Sequence, residues 1–66
     1  MKLVTKVKPQ RRKKGLTQAD LAAEIGVSRQ TIISIENGAC VPSTYLALKL
    51  ARVLRKPVEE LFNIED

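Results

Sequence analysis

The 66-residue chain has no histidine, no tryptophan and one cysteine, Cys40. Without histidine and with a single thiol, no set of nucleophile, base and orienting acid can be assembled, and no metal-ligand cluster exists. The chain does not read as an enzyme, and its residues call for no cofactor and no metal. One cysteine cannot close an internal disulfide, so a reducing compartment such as the cytoplasm is expected. No apolar run approaches the ~20 residues that cross a bilayer, and nothing has the pattern of a leader peptide. Aromatics are limited to Tyr45 and Phe62, which leaves a core of aliphatic side chains. About a dozen of these at helical spacing suffice for one small bundle, near the lower size of a self-supporting domain. Residues 1–66 are accordingly expected to form a single domain, with no interdomain linker, repeat or low-complexity tract.

What is present centres on residues 17–38, TQADLAAEIGVSRQTIISIENG. Thr17 stands where a helix N-cap belongs, and Asp20 three residues on offers an aspartate variant of the capping box. Leu21, Ala22 and Ile25 form an apolar stripe of helical period. Gly26 ends that helix, since glycine enters the left-handed region without a Cβ penalty. Val27 reads as a buried spacer and Ser28 as the cap of a second helix. Ile32 and Ile35 turn that helix's inner face to the first, and Asn37-Gly38 stops it. Two short helices joined by about three residues containing glycine form a helix-turn-helix, because so short a turn permits only a steep crossing.

The same residues resemble a known family. Gly15-Leu16-Thr17-Gln18, the Leu21-Ala22 pair, the Ile25-Gly26-Val27-Ser28 turn, Arg29-Gln30-Thr31-Ile32 and the closing Ile35-Glu36-Asn37-Gly38 are similar to the helix-turn-helix of the lambdoid phage repressor and Cro regulators, the xenobiotic response element family. Weaker similarity continues through Pro42-Ser43 and LALKLARVL to Glu59-Glu60-Leu61-Phe62, nearly everything after Arg11. The resemblance implies an all-α, five-helix lambda-repressor-like bundle. It implies a homodimer on double-stranded DNA that regulates transcription, as a repressor.

Charge is unevenly spread within the net +5. Residues 1–14 hold seven Lys or Arg and no acid, whereas residues 59–66 hold four acids and no base. A basic block reads as a polyanion contact or as a solvated arm, and beside a helix-turn-helix the nucleic-acid reading gains. Lys2 to Lys8 alternates loosely and reads as a short strand, as the start of a first helix or as a frayed terminus. Pro9 biases Lys8 away from the helical region, so the first helix is expected from Pro9 to Lys14, after an extended segment open to a second copy. Gln10 stands where the family usually has a buried apolar residue. Gly15 ends this helix and Leu16 enters the core.

Ser43 reads as the cap of a fourth helix. Leu46, Ala47, Leu50, Ala51 and Leu54 face inward on it, and Lys49, Arg52, Arg55 and Lys56 outward. Pro57 opens a fifth helix at the position where a missing N–H costs nothing. Glu59 and Glu60 follow in its first turn, and Leu61 and Phe62 close the core. Residues 63–66 are expected to fray or to join a dimer contact.

In a helix-turn-helix the second helix enters the major groove and its first residues reach base edges. Arg29 can donate two hydrogen bonds to guanine or clamp a phosphate. Gln30 can pair with adenine, Ile33 can pack on a thymine methyl, and Ser34 can bond several edges. A solvated polar face is the bland reading, and Ile33 outside beside inward Ile32 weighs against it. By resemblance, positions 29, 30 and 34 match the family's base readers. Gln18 sits at a helix N-terminus, which favours an anion, and the family uses this glutamine on the DNA backbone. Asn37 matches another family phosphate contact. Thr17 and Ser28 could add hydroxyl donors, although capping alone explains them, as it does Ser43. Ala39 and Cys40 stand where the family often has a basic residue. Backbone affinity then falls to Arg12, Lys13 and Lys14, which read equally as a solvated face.

Arg11 and Glu36 match a family ion pair joining the first helix to the end of the third, and Tyr45 reads as a phosphate donor or a rim residue. Following the family, helix five and the acidic C-terminus are the expected dimer surface, flanked by Leu48 and Val53, with the N-terminal segment as second choice. Two rivals stand beside the regulator. One is an antitoxin-type autoregulator that also binds a toxin or other protein partner. The other is an interaction module that has lost DNA binding. No membrane partner is expected.

Overall fold

A computed structural model describing all of residues 1–66 places seven elements in the order β1 (Lys2–Thr5), α1 (Val7–Lys13), α2 (Gln18–Ile25), α3 (Arg29–Glu36), α4 (Thr44–Leu54), α5 (Val58–Leu61) and β2 (Phe62–Glu65). Local chemistry starts the three longest helices. The Thr17 hydroxyl accepts from the Asp20 amide at 3.0 Å while the Asp20 carboxylate accepts from the Thr17 amide at 2.9 Å, a complete capping box. Ser28 and Ser43 accept from the amides of Thr31 and Leu46, each satisfying one of the free donors of a helix start. At the other end of α2, Gly26 takes φ 76°. At the end of α4, Arg55 takes the left-handed conformation that glycine usually supplies.

The apolar stripes of all five helices meet in one core: Val7, Leu21, Ala22, Ile25, Ile32, Ile35, Leu50, Leu54, Leu61 and Phe62. Truncation of a leucine there costs about 2–5 kcal/mol. Leu46, Ala47 and Ala51 pack against this core half-buried, on the face of α4 that the spacing assigns inward. Val27 is half-buried, less deep than the spacer expected.

The fold departs from an all-α bundle at the chain ends. β1 and β2 pair antiparallel in the register Lys2↔Glu65, Leu3↔Ile64, Val4↔Asn63 and Thr5↔Phe62. The extended N-terminal segment therefore finds its partner within the chain, and residues 63–65 form a strand where fraying was expected. The pairing sets basic Lys2 opposite acidic Glu65, a favourable cross-strand match. The first helix begins at Val7, two residues ahead of the expected Pro9. Pro9 falls third in α1, where an amide has no intrahelical acceptor, so its missing N–H removes nothing and Lys8 is helical. The Lys6 amide donates to the Leu61 carbonyl at 2.7 Å, which ties the entry of α1 to the end of α5. Pro57 is the N-cap of α5 and not its first helical residue.

Lys49 is also misplaced by the outward assignment. Half-buried, it donates to the Ile25 carbonyl at 2.8 Å and lies over the Tyr45 ring, 4.8 Å from its centroid. It thereby satisfies a free carbonyl at the end of α2 and supplies the positive charge that a helix C-terminus favours. No helix is long and apolar enough to cross a membrane.

Two outcomes follow from the caps. A Cβ on Gly26 would meet only the Lys49 ammonium, at 3.9 Å, so Gly26→Ala is penalised by backbone conformation and not by a clash. It should cost about 1–2 kcal/mol in chemical denaturation. The Thr17 backbone amide, then its hydroxyl, holds the Asp20 carboxyl below the usual carboxylate range. The stability this gives is complete above that range and is lost as pH falls through the depressed folded-state value. Asp20→Asn should flatten that acid limb in melting curves recorded against pH.

Candidate nucleic-acid interface

The turn between α2 and α3 aims the head of α3 at solvent. Arg29 and Gln30 are exposed, and Ile33 and Ser34, one turn on, are half-buried. The Ser34 carbonyl accepts from the amides of Ala39 and Cys40, folding the following loop back against α3. The Asn37 carboxamide oxygen accepts from the Ala39 amide at 2.9 Å, so this side chain shapes the same loop.

Behind the head of α3 lies a cleft of about 520 Å³ between α1 and the start of α2, lined in part by Lys8, Arg12, Thr17, Gln18 and Arg29. The amides of Gln18 and Ala19 open onto it and carry no intramolecular hydrogen bond. Two free amides at a helix start, faced by three basic side chains, make a setting for an anion. Its floor is fixed by the Arg11–Glu36 pair, whose side chains are 8% and 4% exposed. Arg11 donates from Nε to Glu36 Oε2 at 2.6 Å and from Nη2 to Oε1 at 3.1 Å, and its Nη1 reaches the Leu16 carbonyl at 2.8 Å. The hydrogen bond from Glu36 raises the Arg11 pKa, against the opposing effect of burial.

Gln18 carries this arrangement outward. Its Nε2 donates to Glu36 Oε1 at 3.1 Å, and its Oε1 faces Arg29 Nη2 at 3.5 Å. The carboxylate on one side and the guanidinium on the other leave the amide a single favourable orientation. One side chain thus joins the buried pair to the exposed arginine at the head of α3.

The structure brings Gln18, Arg12, Thr17 and Arg29 together at the cleft. Lys13 and Lys14 are exposed and do not line it, and Asn37 and Ser28 also stand apart. Thr17 and Ser28 are engaged as caps, and Ser28 shares a further hydrogen bond with the Thr31 hydroxyl. Lys8 was missed at the sequence level. Its signal, the i, i+4 spacing to Arg12 on one helix face, was hidden by starting the helix at Pro9.

Because the Arg11–Glu36 pair is almost wholly desolvated, removing one partner strands a buried charge. Arg11→Met should lower unfolding free energy by about 3–5 kcal/mol, and Arg11→Lys should recover only part of it, since an ammonium cannot span both carboxylate oxygens. Urea denaturation of the two variants measures both.

Comparison with known proteins places this geometry. The helix-turn-helix family model matches residues 7–61. An uncharacterized HTH-type transcriptional regulator of Methanocaldococcus jannaschii is 49% identical over 61 residues, 92% of each chain. One of Archaeoglobus fulgidus is 44% identical over 62 residues, 94% of this chain and 89% of its own. One of Bacillus subtilis is 41% identical over 61 residues, 92% of each. A crystal structure of a Bacteroides fragilis protein assigned to DNA binding superposes with a TM-score of 0.84 at 26% identity, covering 92% of this chain and 98% of that one. With a steep two-helix turn, an exposed polar helix head and these relatives, the chain belongs to the Cro/C1-type helix-turn-helix family of DNA-binding transcription regulators.

Proposed function

We propose that the protein is a sequence-specific repressor that lays α3 in the major groove of duplex DNA. The observation that carries this reading is the pairing of an exposed Arg29-Gln30 head with the adjacent basic cleft. Arg29 supplies a bidentate donor suited to guanine, and Gln30 a donor–acceptor pair suited to adenine. Ile33 and Ser34 extend the contact by one turn. The cleft takes a backbone phosphate on the free amides of Gln18 and Ala19, with Arg12 and Lys8 neutralising it. Asn37 and the hydroxyls of Thr17 and Ser28 add polar donors along the flanks, and Lys13 and Lys14 add distant positive charge.

Phosphate contacts fix register and base contacts choose sequence. Arg29 stands between the two, since Gln18 sets its starting position. One such head reads only a few base pairs. Two copies about 34 Å apart, one helical turn of DNA, would read a palindromic site. A dimer seated there represses by occupying the operator.

Selection of bound duplexes from a random pool tests the assignment. Arg29→Ala and Gln30→Ala should each relax preference at particular base pairs, with a loss of about 1–3 kcal/mol at those positions. Arg12→Ala should weaken all sequences alike and lower the slope of log affinity against log salt by about 1. Unchanged preference in both α3 variants would remove α3 as the reading helix. Affinity absent at low salt would favour an interaction module instead.

A further inference from the structure

The exposed large apolar side chains are Met1, Leu3, Val41, Tyr45, Leu48 and Ile64, and none of them lies on α1, α2 or α3. Leu3, Val41 and Leu48 line one groove of about 490 Å³ between the sheet and α4, with Phe62 and Val58 at its base. Ile64 is the cross-strand partner of Leu3, so the apolar surface continues across the sheet. Exposed apolar area gathered into one patch marks an interaction surface, whereas single scattered residues do not. This groove shares no residue with the basic cleft, so a partner seated in it leaves Arg29 and the phosphate cradle free.

We infer that the occupant of this groove is a second copy of the same chain. The inference rests on the dimeric part of the function proposed above and gives it a surface. The charges around Leu48 carry the choice of occupant. On one side, Glu59 lines the groove beside Leu48. On the other, Leu48 also borders a shallower hollow with Tyr45, Lys49 and Arg52. A two-fold axis through Leu48 carries the acidic flank of each copy onto the basic flank of the other and sets leucine against leucine. That is the self-complementarity an isologous contact requires, residue i meeting j and j meeting i. A rim of one sign would have pointed to a foreign partner of the opposite sign. A stable interface needs about 800 Å² per partner, which is roughly a fifth of the 4413 Å² surface of this chain. A patch running from β2 across Leu3 to Arg52 is of that extent.

Sedimentation equilibrium of the purified full chain without DNA decides the matter, using the wild type, Leu48→Glu, Arg52→Glu, Glu59→Arg and the double charge reversal. The wild type should be a dimer at micromolar concentration. Leu48→Glu should be a monomer, with dimer dissociation raised by about 100-fold and the helical circular dichroism and cooperative melt retained. Each single charge reversal should weaken the dimer by about 10-fold, and the double reversal should restore most of that loss. A wild-type monomer at hundred-micromolar concentration would assign the groove to another occupant and overturn the inference. A Leu48→Glu dimer, or charge reversals without mutual rescue, would overturn it equally. Should Leu48→Glu fail to fold, rescue or its absence in the charge-reversal set decides alone. The two readings fail separately. A monomer that still binds a single half-site loses the surface and keeps the DNA reading, while a dimer indifferent to every duplex does the reverse.

Discussion

The Arg11 guanidinium makes contacts in three directions at once, with two nitrogens on the Glu36 carboxylate and the third on the carbonyl of Leu16. Those contacts join α1, the loop ahead of α2 and the last residue of α3. Hydrophobic packing holds these helices together, but it is non-directional and tolerates small slides. A bidentate fork does not tolerate them, since its two hydrogen bonds fix both the distance and the plane of the carboxylate. Gln18 then extends the constraint from Glu36 to Arg29, linking the pair to the surface. A desolvated ion pair is seldom a net source of stability compared with an apolar pair of similar volume. What this one supplies is alignment, holding the head of α3 and the start of α2 in one fixed relation.

Much of this was legible in the sequence because it is local. The starts of α2, α3 and α4 were set by Thr17, Ser28 and Ser43, each bonding an amide three residues on, and the stop at Gly26 needed only a missing Cβ. The inward stripe of α4 followed from period alone. The elements that escaped depend on partners far along the chain. Whether residues 63–65 form a strand is decided by residues 2–5, some sixty positions away, and no pattern in either segment names the other. The start of α1 was lost to a rule applied too broadly. Proline disrupts a helix interior, but at the third position neither its missing amide nor its ring meets an acceptor of the helix.

The candidate site divides along the same line. Arg29, Gln30 and Gln18 could be placed because a helix start defines its own outward positions. Lys8 escaped with the true beginning of α1, and Lys49 because its target, the Ile25 carbonyl, belongs to another helix. A lysine on the flank of an amphipathic helix looks solvated until the neighbouring helix end is known. Here that end belongs to the turn that aims α3, so a side chain on α4 helps to hold the angle of the helix-turn-helix.

The pairing of β1 with β2 has a consequence for the distribution of charge. It draws the basic beginning and the acidic end of the chain side by side, so that Lys2 and Glu65 offset one another. The remaining basic residues of the first fourteen project along α1 instead, toward the cleft at the start of α2. The acids Glu59 and Glu60 stay with α5 and the sheet, on the side of the apolar groove. A chain with its ends unpaired would carry a mobile cationic arm that attracts any polyanion without register. With the ends paired, positive potential is concentrated where the free amides of Gln18 and Ala19 lie, and negative potential is kept away from it. Electrostatic attraction then orients the protein as well as holding it, bringing α3 to the groove with its head already placed by Arg11, Glu36 and Gln18.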